Sequence, residues 1–329
     1  MSIDTDYIFD PEITFSEKLN RVFLIQMEMN PVYRKYASHF HVSDMEMVDT
    51  VSVPLLPIRA FKETKLITEG KEAELIFKSS GTGDMDRSRH LVADPELYRK
   101  AIFTEFKRHL PLKKTVILCY TPGYSENRES SLIWMLNELI EASEEPLSRF
   151  LPLGEPLKAE ELEKAATTGK QLILFGAAFG LLDLIDLKSP ALPGTSVIIE
   201  TGGMKTHRRE ISKQELRMKL SDGFGIPDDS IHSEYGMCEL LSQCYAIGSE
   251  WFESPHWVEI SIRDPQDWMR ICEPGEEGKI GIVDLANTWS CPFILTDDRG
   301  VMDQKGRFRV LGRWDENELR GCNFLIDTD

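Results

Sequence analysis

The sequence lacks the patterns of a metal-binding or disulfide-rich protein. Its six cysteines form no CxxC pair and no Cys/His cluster with zinc-ligand spacing. They are Cys119, Cys238, Cys244, Cys272, Cys291 and Cys322. We therefore expect reduced, buried thiols of a cytoplasmic protein. Long polar tracts and heptad repeats are absent too, which excludes a disordered chain and a coiled coil.

Membrane and targeting signals are also missing. The first ten residues, MSIDTDYIFD, have neither the basic nor the apolar region of a signal peptide. The most apolar run, residues 172–187, carries Asp183 and Asp186. It is shorter than the stretch of about 20 apolar residues that crosses a bilayer. We expect a cytoplasmic protein with no membrane span.

Positive charge is in the minority, since 55 Asp and Glu outnumber 38 Lys and Arg and the net charge is −17. Such a surface repels nucleic-acid phosphates and anionic lipid, so neither is an expected partner. A mononucleotide is still possible, because a small ligand needs only a local pocket of donors. The 329 residues are enough for one large domain or two medium ones, and hydrophobic residues make up 41% of them, enough for a real core.

The middle of the chain alternates β-branched runs with helical segments. Strands are predicted at 74–78, 115–118, 172–175 and 197–200. Helices are predicted within 15–40 and at 130–143, 180–187 and 212–220. This alternation predicts an α/β fold with a mainly parallel sheet flanked by helices. After residue 247, short strands separated by Gly, Pro and Asp predict an antiparallel, barrel-like region. The predicted domains are 1–246 and 247–329.

A loop of small and hydroxyl residues follows the predicted strand 74–78. It contains Ser79, Ser80, Gly81 and Thr82. Its backbone N–H groups and hydroxyls could bind phosphate oxygens, and Arg87 and Arg89 could supply positive charge. No Gly-Lys-Ser/Thr follows, so this is not a Walker loop. A Gly-rich turn that binds nothing is an equally common alternative.

The segment SEYGMCE, residues 233–239, combines an aromatic ring with glycine and a carboxylate. Tyr235 could stack on a base while Gly236 allows close backbone approach. Glu239 could hold Mg²⁺, which prefers hard oxygen ligands that it shares with phosphates. For this segment alone, a core tyrosine and a surface glutamate are the commoner outcome.

Two segments near the C-terminus, TDDRG at 296–300 and GRWD at 312–315, suggest a ribose site. The carboxylate of Asp298 could accept both ribose hydroxyls, with Arg313 as a neighbouring donor. A solvated, Asp-rich turn is the usual alternative.

The order and spacing of these motifs resemble the adenylate-forming superfamily of acyl-CoA synthetases and AMP-acid ligases. The similarity is greatest to its acyl-protein synthetase, LuxE-type branch, and covers nearly the whole chain. The matching segments are FKSSGTGDMDRSRH, TPGYSENRESSLIWM, ETGGMK, HSEYGMCELLSQCY, DLANTWSCPFILTDDRG and GRWDENELRGCNF. The resemblance implies the N-terminal-domain fold of that superfamily. It also implies an enzyme that uses ATP and Mg²⁺ to activate a carboxylic acid, typically a long-chain fatty acid, as acyl-AMP.

The resemblance assigns a role to each motif. The Ser/Gly/Thr loop holds the triphosphate, Glu239 carries magnesium, and Asp298 and Arg313 hold the ribose. The residues around the adenine are Gly202, Gly203, Met204, Tyr235 and Gly236. Cys322, near the C-terminus, takes the acyl group as a thioester, and Arg320 beside it favours the thiolate. A buried structural thiol is the alternative for Cys322.

Three residues depart from the superfamily pattern. Gly83 stands in a threonine place, Asp84 stands where glycine is expected, and Cys238 replaces the threonine of Tyr-Gly-x-Thr-Glu. They motivate a second hypothesis, a catalytically degenerate relative that binds nucleotide, acyl chain or a partner. A third hypothesis is release of the acyl group to CoA or a carrier thiol.

The sequence offers little support for release to CoA. CoA ligases use a mobile C-terminal lid domain with a catalytic lysine, and we expect that lid to be absent from this chain. The resemblance instead suggests an acyl-acceptor or reductase protein as partner.

Overall fold

The computed structural model describes most of the chain. The described residues are 4–40, 47–79, 87–123, 129–202 and 211–314. They form two compact units. The central unit comprises Ile76–Arg89 and Pro95–Glu253. The terminal unit comprises Met1–Leu75, His90–Asp94 and Ser254–Asp329, so the N-terminal helices group with the C-terminal strands. The domain boundary at 246/247 stays a prediction.

The helices and strands of the described residues, in chain order, have the following bounds. The helices are α1 (Phe15–Met29), α2 (Pro31–Ala37), α3 (Ala60–Glu63), α4 (Pro95–His109), α5 (Ser131–Ser143), α6 (Ala159–Thr167), α7 (Ala178–Asp186) and α8 (Lys213–Phe224). The strands are β1 (Leu56–Pro57), β2 (Leu75–Lys78), β3 (Arg89–Val92), β4 (Thr115–Tyr120), β5 (Arg149–Phe150), β6 (Gln171–Ala177), β7 (Val197–Thr201), β8 (Ile231–Tyr235), β9 (Cys244–Ala246), β10 (Val258–Arg263), β11 (Glu277–Asp284), β12 (Phe293–Met302) and β13 (Phe308–Arg313).

The central unit is built on a six-stranded sheet with the order β5-β4-β6-β7-β8-β9. All neighbouring strands run parallel except β8 and β9. The predicted parallel sheet is therefore confirmed, with one antiparallel edge strand. Because parallel strands end at the same edge, the carboxyl ends of β4, β6, β7 and β8 lie side by side.

Helices α6, α7 and α8 cover one face of this sheet. Apolar side chains of alternate strand positions, such as Leu174 and Ile198, pack against Leu181, Leu216 and Phe224 of the helices. Strands β4 and β7 are buried at every position, which is why both appear in the sequence as nearly continuous apolar runs.

Side-chain caps explain why the first residues of α5 and α8 could be predicted closely from the sequence. Ser130 accepts a hydrogen bond from the Ile133 amide at 3.4 Å, and Ser212 accepts one from the Glu215 amide at 3.1 Å. Each serine satisfies an amide that the first helical turn leaves without a partner. Helix α8 ends at Gly225, whose φ of 66° is the left-handed conformation that glycine adopts easily.

The terminal unit contains a five-stranded sheet in which β10, β11, β12 and β13 are antiparallel neighbours and β1 pairs in parallel with β12. The change to antiparallel strands after residue 247 is thus confirmed. Helix α1 is tied to this sheet region, since Gln26 Nε2 donates to the Thr288 carbonyl at 2.7 Å. Asn30 Nδ2 donates to the Ser290 carbonyl at 2.8 Å.

The cysteines of the described residues are free. Cys119, Cys244, Cys272 and Cys291 are buried, and Cys238 is half-buried. Burial raises the pKa of Cys291 to about 12 and also raises the pKa of Cys119. Both thiols are therefore poor nucleophiles at neutral pH. No helix among the described residues is long and apolar enough to cross a membrane.

Candidate functional site

The carboxyl edge of the central sheet brings together two of the predicted motifs. Thr201, the last residue of β7, lies opposite Glu234 of β8. Gly202 follows Thr201, and Tyr235 and Gly236 follow Glu234. The Gly202 turn and the Tyr235–Gly236 turn therefore leave the sheet from adjacent strands. Carboxyl edges of this kind are where open α/β sheets bind ligands.

Gly236 lies close to a carboxyl group of β8, the strand that precedes it. A Cβ atom at position 236 would lie 2.5 Å from Glu234 Oε1 and 3.7 Å from Gln243 Cγ. The first distance is far inside van der Waals contact, so only glycine fits here without a shift. The structure thus gives a reason for this glycine that is independent of any ligand.

Glu234 is a buried acid that our sequence reasoning missed. The Thr201 hydroxyl donates a hydrogen bond to Glu234 Oε2. Burial raises the pKa of Glu234 to about 7, against the lowering effects of the Thr201 hydrogen bond and Lys213, while Glu200 adds to the rise. The signal that could have revealed it is an ionisable residue within a strand that the pattern places inside the fold.

Glu200 is a second buried carboxylate, and it too was missed. Lys213, the first residue of α8, donates to Glu200 Oε1. Glu200 is 0% exposed, whereas the Lys213 side chain is 34% exposed. The other oxygen, Oε2, has no hydrogen-bond partner in the part of the chain that the structure describes. This ion pair fastens the start of α8 to the end of β7.

Tyr235 is the last residue of β8, and Glu239 lies in the connection between β8 and β9. Tyr235 is half-buried and its ring lies 5.9 Å from the ring of Phe252, at 57°. Glu239 is only 5% exposed, so it is not the surface glutamate of the commoner alternative. The turn is closed by the Leu240 amide, which donates to the Met237 carbonyl at 3.2 Å. One buried carboxylate suits Mg²⁺, which takes one or two carboxylates and completes its shell with phosphates and water.

The described residues form no preformed metal cage around Glu239. Among residues 4–40, 47–79, 87–123, 129–202 and 211–314, no group of three or more His, Cys, Asp or Glu is arranged to hold a metal ion.

Ser79 closes the base of the Ser/Gly/Thr loop. Its amide donates to the Ser88 carbonyl at 3.1 Å, and its hydroxyl accepts from the Ser88 amide at 3.0 Å. The loop connects β2 to β3, which together form a two-stranded sheet. Arg89 lies at the start of β3 and is exposed. Phe77 of β2 packs in the central unit against the rings of Tyr98 and Trp134.

Asp298 and Arg313 are in contact within the terminal unit. Arg313 Nε donates to Asp298 Oδ1 at 3.0 Å. The Asp298 side chain is 11% exposed and that of Arg313 is 59% exposed. The Asp298 amide donates to Thr296 Oγ1 at 3.1 Å. Asp298 is thus a fixed carboxylate on β12, not part of a solvated turn. Its role toward a ribose stays a prediction.

The remaining predicted site residues lie outside the described residues. They are Ser80, Gly81, Thr82, Gly203, Met204 and Cys322, together with the departures Gly83 and Asp84.

Comparison with solved structures defines the class of the fold. A 2-hydroxyisobutyryl-CoA ligase in complex with 2-HIB-AMP and CoA aligns with a TM-score of 0.63 at 12% identity, covering 92% of this chain and 69% of that one. ATP-bound MatB from Rhodopseudomonas palustris aligns with a TM-score of 0.52 at 15% identity, covering 75% of this chain and 49% of that one. The fold is that of the adenylate-forming ligases.

Sequence comparison identifies the family. The model of the acyl-protein synthetase, LuxE, family matches residues 149–328, more than half of the chain. The Long-chain-fatty-acid--luciferin-component ligase of Aliivibrio fischeri is 23% identical over 326 residues, covering 92% of this chain and 83% of that protein. The chain belongs to the LuxE acyl-protein synthetase family and is an AMP-forming ligase of that family. The expected resemblance and fold class are confirmed.

Proposed function

We propose that the protein activates a long-chain fatty acid, or a similar hydrophobic acid, with ATP and transfers the acyl group to a protein cysteine. The observation that carries this proposal is the meeting of the Gly202 turn and the Tyr235–Gly236 turn at the carboxyl edge of the central sheet, followed by the buried Glu239. Family membership supplies the reaction type. The name of the Aliivibrio fischeri relative supports a long-chain fatty acid as substrate.

In the proposed first step, an oxygen of the fatty-acid carboxylate attacks the α-phosphorus of ATP. The bond to the bridging oxygen breaks, pyrophosphate leaves, and acyl-AMP forms. The two turns of the central sheet would enclose the adenine, and the loop that Ser79 closes would contact the phosphates. Mg²⁺, held by Glu239, would supply positive charge that offsets the charge of the transferring group. In the terminal unit, Asp298 would accept the ribose hydroxyls while Arg313 holds its carboxylate in place.

In the proposed second step, a thiolate attacks the acyl carbonyl carbon and AMP leaves, which gives a thioester. We assign this role to Cys322. The buried thiols of Cys119 and Cys291 are poor alternatives, because burial raises their pKa and prevents access. A partner protein, as reductase or as final acyl acceptor, is a further part of the proposal.

The decisive experiment is acyl labelling of the purified protein with ATP, Mg²⁺ and a panel of labelled carboxylic acids. We expect hydroxylamine-sensitive label on the wild type and none on Cys322→Ser. The matched control is Cys272→Ser, because Cys272 Sγ donates to the Glu277 carbonyl at 3.8 Å and a serine hydroxyl can do the same. This control should retain the label.

Other outcomes would replace the proposal. Label on neither protein, with no exchange of pyrophosphate into ATP, would favour the degenerate relative; the half-buried Cys238 beside Glu239 is the observation behind that candidate. Turnover of Cys322→Ser with CoA or a carrier thiol as acceptor would favour release to an external thiol.

A further inference from the structure

The carboxyl group of Glu234 connects the two turns of the proposed adenine site. Its Oε2 accepts the hydroxyl of Thr201, the residue just before Gly202. Its Oε1 lies against Gly236, 2.5 Å from the position that a Cβ would take. One side chain therefore touches the ends of both β7 and β8. Thr201 and Glu234 are only 6% and 5% exposed, so this link is buried.

The surroundings of Glu234 favour the uncharged carboxyl. Lys213 could offset its charge, but the ammonium group of Lys213 is already bound to Glu200. Burial and the charge of Glu200 both raise the pKa of Glu234, to about 7. The Thr201 hydroxyl is its one hydrogen-bond donor in the described part of the chain, too little to stabilise a buried carboxylate.

The strand on the other side carries neutral groups. Tyr245 of β9 lies opposite Glu234, and burial raises the pKa of its phenol well above 10. Gln243 Oε1 and the Tyr245 hydroxyl are buried and have no hydrogen-bond partner within the described residues. Beyond Tyr245, on α4, His109 Nε2 and Glu105 Oε1 are paired with each other at 2.8 Å. Among the described residues, Lys213 is the cation that lowers the pKa of Glu234.

We propose that Glu234 is a positioning residue, which through Thr201 fixes the separation of the Gly202 and Tyr235–Gly236 turns and does so as the uncharged carboxyl. The inference rests on the proposed function, because it assigns these turns to the nucleotide. An ionised Glu234 would be unstable without contact with water or a cation. Movement of its side chain toward either would displace the Tyr235–Gly236 turn from β7. Nucleotide affinity should therefore follow the protonation of this one group.

The test is the affinity for Mg·ATP, measured by calorimetry between pH 6 and pH 8 without fatty acid. Wild-type affinity should fall about tenfold over this range, because the uncharged fraction of a group that titrates near pH 7 falls by that factor. Glu234→Gln keeps the size and stays uncharged, so its affinity should match wild type at pH 6 and lose much less by pH 8. Thr201→Val, which removes the donor at constant volume, should weaken binding at all pH values.

Glu253→Gln is the matched control, since Glu253 is a half-exposed glutamate of the same unit that pairs with Arg108. It should reproduce the wild-type pH profile, including the part that comes from ATP itself. An equal pH dependence in wild type and Glu234→Gln would overturn the inference, as would normal affinity of a folded Thr201→Val.

Pyrophosphate exchange, measured on the same proteins, separates this inference from the proposed function. Exchange with an unchanged pH profile in Glu234→Gln would refute the positioning role and keep the function. If Mg·ATP binding shows the expected pH profile but no pyrophosphate exchange occurs, the positioning role is kept and the proposed function is refuted. Absence of Mg·ATP binding in every variant would refute both.

Discussion

At the scale of single residues, burial separates carboxylates that the sequence leaves alike. Glu239 is 5% exposed in a turn that the sequence alone would place at the surface. Removing a carboxylate from water costs free energy, which a fold accepts when a partner or a ligand compensates. Asp298 is similarly fixed, whereas its neighbour Asp297 is exposed and pairs with Lys279 at 2.8 Å. Adjacent aspartates that look alike in the sequence thus differ in environment.

We expect Glu239→Gln to act on the metal requirement. The amide keeps the shape of the turn but removes the charge that would hold Mg²⁺. The Mg²⁺ concentration for half-maximal pyrophosphate exchange should rise at least about tenfold, which corresponds to ~1.4 kcal/mol of lost binding. A magnesium titration of the exchange rate measures this. Glu253→Gln should leave the titration unchanged, and an unchanged midpoint in Glu239→Gln would remove Glu239 from the metal site.

At the scale of elements, the sequence predicts what local chemistry controls. The serine caps of α5 and α8 and the apolar runs of β4, β6 and β7 predicted these elements in their correct order, but β5, β8 and β9 of the same sheet were not predicted. Only the family resemblance grouped Gly202 with Tyr235 and Gly236, because strand β8, whose carboxyl end brings them together, was not predicted. The link between Thr201 and Glu234 could not be predicted, because it depends on the register of β7 and β8.

The contact between Gly236 and Glu234 leads to a prediction for the turn after β8. Gly236 does not have a positive φ, so an alanine can adopt its backbone conformation. The cost of Gly236→Ala must then come from the Cβ placed 2.5 Å from Glu234 Oε1. We expect a loss of about 1–3 kcal/mol in the free energy of unfolding, as for other overpacked sites. Denaturant titration measures it.

A double-mutant cycle identifies the cause of that loss. In a Glu234→Ala background, Gly236→Ala should cost at least about 1 kcal/mol less, because the clashing oxygen is gone. Gly194→Ala is the control, since a Cβ at position 194 meets nothing within 4 Å and the φ is not positive. Gly194→Ala should leave the free energy of unfolding nearly unchanged. Additive effects of the two substitutions would show that the glycine serves something other than the Glu234 carboxyl.

At the scale of the whole molecule, the grouping of the chain into units was beyond sequence reasoning. Helix α1 is anchored by Gln26 and Asn30 to carbonyl groups of Thr288 and Ser290, more than 250 positions away. Buried amides of this kind give no periodic signal, and their partners are backbone atoms that any residue could supply. Periodicity therefore located α1 and α2 correctly but could not say which sheet they join.

Glu234 also makes the stability of the whole protein depend on pH. Its pKa is about 7 in the folded chain and 4.5 in the unfolded reference, so the folded state binds the proton more tightly. Between these values the folded protein holds more protons than the unfolded one, and stability falls as pH rises. The contribution is fully present below pH 4.5 and lost once the pH has passed about 7. The shift corresponds to ~3 kcal/mol.

The comparison of wild type with Glu234→Gln isolates this contribution, because every other titrating group is common to both. We expect the variant to gain stability relative to wild type as pH rises from 4.5 to 8, by an amount on the order of 3 kcal/mol. Denaturant unfolding at several pH values measures the difference. Glu253→Gln should show no such trend. A constant difference between wild type and Glu234→Gln would mean that Glu234 is ionised in the fold, and it would remove the physical basis of an uncharged link between the two turns.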